Sequence, residues 1–103
     1  GEKIIEMALD EREIADFLKS EDKIKSYNPV LKALWYDGNG DWDKAHDQVD
    51  GMDGKDSARI HAYLHRKEGD QWNADYWYRR AGATCPELNL EEEWEMLLTQ
   101  YLL

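Results

Sequence analysis

The chain has 103 residues, enough for one domain with a modest core, and it carries a formal charge of −10. With 42% hydrophobic residues and five Trp it is too apolar to be disordered, although 35% of it is charged. The negative balance repels nucleic acid and anionic membrane surfaces, so neither is an expected partner.

Cys85 stands alone, which excludes an internal disulfide and a Cys-based zinc site. No signal-like apolar stretch or long apolar run occurs, and a cytoplasmic location is the expectation.

In chain order, Ile4, Ile5, Ala8 and Leu9 form a short amphipathic segment. Asp10 with Glu13 makes a capping box ahead of Ile14, Phe17 and Leu18. Asn28-Pro29 reads as an N-cap followed by proline at the first helical position, and Val30, Leu31, Leu34 and Trp35 continue at helical spacing. The cluster from Asp37 to Asp41 stops that helix and caps the next, whose face is Trp42, Ala45 and Val49 and which ends by Gly51 or Gly54. Further helices are predicted from about Asp56 to Glu68 and from Asp70 to Ala81, the second closed by Gly82. Asn89 with Glu92 caps a last helix bearing Trp94, Leu97, Leu98, Tyr101 and Leu102. No segment alternates with period two for long enough to be a strand. The expected fold is all-α, with five or six helices in a single domain over residues 1–103.

Within it, Gly-Asp-x-x-x-Ala occurs at Gly40-Asp41…Ala45 and again 29 residues later at Gly69-Asp70…Ala74. Ala33 and Ala62 each precede the glycine by seven positions. A fixed period of this kind is the mark of stacked helix-turn-helix units. Residues 28–86 therefore read as a two-hairpin core, 2–27 as an N-terminal helical extension and 87–103 as a capping helix.

The second copy resembles a tetratricopeptide unit. Ala62 and Ala74 match that family's close-crossing positions, Tyr78 its bulky position, Ala81 the next small one and Pro86 the exit. In the first copy Ala33, Tyr36, Ala45 and Val49 match, whereas Met52 and Ser57 do not. The repeat is roughly five residues shorter than the family's unit, and His61 and His65 stand where the family packs Leu and Tyr. The block His61–Gly82, with Gly40-Asp41-Trp42…Ala45-His46 before it, also resembles a group of small bacterial proteins without an assigned activity. That resemblance spans roughly residues 28 to 103 and implies no catalytic role.

On the predicted fourth helix of the core, Ala74, Trp77, Tyr78 and Ala81 share the inward side, and Trp72, Tyr76, Arg79 and Arg80 share the other. Aromatic and Arg side chains are the types that dominate binding at protein interfaces. The competing expectation is that the last helix covers Trp72 and Tyr76, leaving Asp75 and Arg79 as an ordinary i, i+4 pair.

His61, His65 and Glu68 fall on one helical stripe, and two His at i, i+4 can chelate a metal. Ala62 replaces the Glu of the zinc-protease motif, and nothing in the spacing requires His46 or an Asp to complete a ligand set. No metal and no cofactor are therefore expected, and the histidines read as hydrogen-bonded groups in the groove between helices. Asp37, Asn39, Asp41 and Asp43 imitate a calcium loop, but its sixth position is Trp42 and its twelfth Gln48. These acids read as turn formers and caps.

No phosphate loop, nucleophile elbow or activated thiol is present. The expected function is a protein- or peptide-binding module using Trp72, Tyr76, Arg79 and Arg80. The alternative is a small-molecule binder or enzyme with a pocket lined by His46, His61, His65, Arg66 and Trp77. Pairing of two copies into a homodimer is a third expectation.

Overall fold

A computed structural model describes residues 9–103 of the chain, and the expected amphipathic segment at Ile4, Ile5 and Ala8 lies outside them. The described residues form six α-helices, a short 3-10 turn at Ile24–Ser26 and no strand. The helices are α1 (Glu11–Leu18), α2 (Pro29–Gly38), α3 (Trp42–Val49), α4 (Lys55–Lys67), α5 (Gln71–Arg80) and α6 (Leu90–Leu102).

Local chemistry sets most of the helix starts. At α1, Glu13 N donates to Asp10 Oδ1 at 2.8 Å and Asp10 N to Glu13 Oε1 at 3.3 Å. The same reciprocal box opens α6, between Asn89 and Glu92. Asn28, Asp41 and Asp70 cap α2, α3 and α5. These bonds satisfy amide groups that have no partner inside the helix. Before α3 and α5 stand Gly40 and Gly69, at φ +86° and +92°. Both lie in the left-handed region, where glycine carries no Cβ penalty. The repeated Gly-Asp pair thus reverses the chain with its first residue and caps the next helix with its second.

The helices α2 and α3 pack as one hairpin and α4 and α5 as another, while α6 lies against α2 and α4. Ala33, Ala45, Ala62 and Ala74 are all fully buried. Small side chains there let the helix axes approach. The main core gathers Phe17, Leu31, Leu34, Val49, Ile60, Leu64, Trp94, Leu97 and Leu98 from five helices. A smaller cluster of Ala62, Ala74 and Tyr78 holds α4 to α5. Every residue of α4 from Ser57 to His65 is buried, so this helix is the axle of the fold.

Polar groups lock the packing. Trp94 Nε1 donates to the Leu34 carbonyl at 3.0 Å, and Trp42 Nε1 to the Leu64 carbonyl at 2.8 Å. Glu93 has no exposed surface, and its carboxylate accepts from Arg59 at 2.7 Å, Arg66 at 2.6 Å and the Tyr78 hydroxyl at 2.6 Å. Two guanidinium groups and a phenol on one carboxylate satisfy a charge that would otherwise be very costly to bury. No helix among the described residues is long and apolar enough to cross a membrane.

Candidate functional site

Among the described residues, no helix packs over the outward side of α5. Trp72 is 80% exposed, Tyr76 is 38% exposed, and Arg79 and Arg80 are exposed beside them. The last helix packs on α2 and α4, so the expectation that it covers Trp72 and Tyr76 is overturned. Asp75 accepts from Gln71 Nε2 at 2.8 Å rather than pairing with Arg79. Arg80 is held in place on the surface. Its Nη1 donates to the Tyr76 hydroxyl at 3.0 Å, and its guanidinium lies 5.8 Å from the Tyr76 ring centroid and 5.3 Å from that of Trp77. The hydrogen bond to the Tyr76 hydroxyl raises the Arg80 pKa above its ordinary value. Lys55 approaches the end of the same helix, with its Nζ beside Gly82.

Next to this group, joined to it through Trp77, four of the five residues expected to line a pocket come together as a stack of rings. Trp77 lies flat on His61, with centroids 4.0 Å apart and planes within 10°. Trp42 lies flat on His46 at 5.0 Å and 10°. Between the two indoles, the imidazoles of His46, His61 and His65 contact one another at 4.7, 5.0 and 5.3 Å. His61 Nε2 and His46 Nε2 are 2.9 Å apart, so one carries the proton of a hydrogen bond and the other accepts it. His65 Nδ1 pairs with Glu68 Oε2 at 2.5 Å. Burial, then the neighbouring His46 and His65, lower the His61 pKa from 6.5 to about 4, against an opposing pull from Asp50. His61 is therefore a neutral ring at pH 7.

Arg66 does not join this group. It turns to Glu93 and to the Leu88 carbonyl on the side facing α6. The hydrogen bond to Glu93 raises its pKa.

The structure also assembles a site that the sequence reading missed. Asp37, read above as a turn former, is buried at the end of α2. Its Oδ2 accepts from the Tyr63 hydroxyl at 2.7 Å and its Oδ1 from Lys67 Nζ at 2.8 Å. Burial, reinforced by Asp37, pushes the Tyr63 phenol up. These groups sit in the wall of a cleft of about 400 Å³ that Ile14, Leu18 and Trp94 line with apolar surface. The only signal for it in the chain is the spacing of Tyr63 and Lys67 at i, i+4 on α4.

No protein-family model, no curated protein and no solved structure matches the chain.

Proposed function

We propose that the protein is a small helical-repeat module that docks a segment of another protein on the outward side of α5. The segment is acidic and carries one apolar anchor. The observation that carries this reading is the 80% exposure of Trp72 on the side of α5 that faces away from α4. An indole left in water represents a large apolar area available for burial. Arg80, fixed by Tyr76 and Trp77, and its neighbour Arg79 add positive charge two turns further along the helix, on a chain whose net charge is −10. That local inversion of sign selects a carboxylate-bearing partner. The preset Arg80 geometry reduces the ordering cost of binding. The tetratricopeptide-like hairpins support the reading, because stacked helical repeats commonly offer one face to a peptide.

Panning of a displayed random-peptide library against the protein tests this. The expected result is enrichment of peptides combining acidic residues with an aromatic or aliphatic anchor. Their binding should be lost in Trp72→Ala and Arg79→Glu and kept in His46→Gln. Absence of enrichment, or binding indifferent to Trp72→Ala and Arg79→Glu, would overturn it.

A further inference from the structure

We propose that His46, His61 and His65 bind one divalent transition-metal ion of the zinc class through three imidazole nitrogens. This departs from the expectation drawn from spacing alone, and it does not rest on the docking reading, although Trp77 touches both His61 and Arg80.

The geometry comes from two helices. His61 and His65 stand one turn apart on α4, with rings stacked at 5.0 Å and planes within 13°. His46 reaches across from α3 and meets both edge-on. One ring nitrogen from each lies within 4.8 Å of the other two. A tetrahedral ion with bonds of about 2.0–2.1 Å holds its nitrogens about 3.3 Å apart. The existing 2.9 Å between His46 Nε2 and His61 Nε2 is close to that edge, so an ion can replace the shared proton with little movement of either ring.

The surroundings favour the same outcome. Glu68 occupies Nδ1 of His65, which leaves the lone pair on Nε2. A carboxylate on the far nitrogen of a ligating His orients the ring and raises its basicity. The donors are imidazoles without thiolate, a set suited to Zn, Ni or Cu rather than Mg or Ca. His46 is only partly buried, which leaves the ion a route in. The group His65, Glu68 and Asp70 also lies within 4.8 Å, but it shares His65 and two of its members are exposed.

The test uses the full chain without a polyhistidine tag, stripped of metal and titrated with Zn²⁺ alone and then with Co²⁺ alone. Trp42 and Trp77 stack directly on the ligand rings, so intrinsic fluorescence should change and saturate at one ion per chain. Bound Co²⁺ should show the intense visible absorption of a four-coordinate site. The melting temperature should rise with Zn²⁺ concentration. His46→Gln should abolish saturation with its metal-free helical content unchanged, Glu68→Gln should weaken binding about 10–100-fold, and Asp70→Asn should have no effect. Zn²⁺ should also shift the ring NMR signals of all three histidines, a readout that needs no variant. No saturable binding by the unmodified chain would overturn the proposal. So would binding that survives His46→Gln but fails in Asp70→Asn, which would place the ion on the exposed carboxylates.

Discussion

The guanidinium of Arg59 lies 4.9 Å from the ring centroid of Tyr78, and both side chains end on the same atom, Oε2 of Glu93. One carboxylate on α6 thereby ties down two residues from the α4–α5 hairpin and, through its other oxygen, Arg66 as well. Removing that charge leaves two guanidinium groups in the interior without their partner. Glu93→Gln should cost about 3–5 kcal/mol, the range for breaking a buried ion pair from one side. Urea denaturation would read this as a fall in midpoint at unchanged slope.

The crossing alanines make a second expectation. Ala74 is fully buried against Ala62 and Tyr78. Ala74→Leu should overpack the α4–α5 crossing and cost about 1–3 kcal/mol, and Ala45→Leu should do the same between α2 and α3. An unchanged melting temperature in both variants would show that the alanines do not set the helix approach.

Trp72 and Trp77 provide a contrast within one helix. Trp72→Ala should change stability by no more than about 0.5 kcal/mol, as is usual for exposed positions. Trp77→Ala removes the ring stacked on His61 and should cost about 3 kcal/mol. Thermal melts of the two variants side by side check the difference.

Alkaline pH should destabilise the fold. Burial, then a carboxylate partner, raises the pKa of Tyr63 (Asp37), Tyr78 (Glu93) and Tyr101 (Asp56), the last from 10 to about 12. The folded chain holds these protons more tightly than the unfolded chain. Their contribution is therefore complete below pH 10; that of Tyr101 is lost as pH rises from there through 12, and those of Tyr63 and Tyr78, raised further, go on being lost above it. Tyrosinate absorbance and helical content should change together across that window. Normal ionisation near pH 10 with helicity retained would contradict the buried phenol network.

Features governed by neighbours in sequence were legible. The two capping boxes, the Gly-Asp turns and the buried alanines follow from local chemistry and a simple period, and helix ends fall within a residue or two of expectation. Sites governed by side-chain direction after packing were not. Glu91, Glu92 and Glu93 are consecutive and chemically alike, yet Glu92 caps α6 while Glu93 is its buried anchor. Only the rotational phase of α6 on α4 separates them. The His61–His65 pair was visible as a stripe, but His46 joins it through the packing of α3 on α4, which no spacing encodes. Arg66 illustrates the reverse. One residue from His65, it points about 100° around the helix and serves a different cluster.

A hypothetical Cβ on Gly38 would sit 2.6 Å from Leu18 Cδ2 and 2.7 Å from Trp94 Cζ2. The bare backbone at the end of α2 is thus the seat on which α1 and α6 rest together, although they are the first and last described helices. Neither can lift away without loosening the contact that seats the other. In native-state hydrogen exchange the amides of α1 and α6 should therefore share one opening free energy, forming a cooperative unit built from sequence-distant parts.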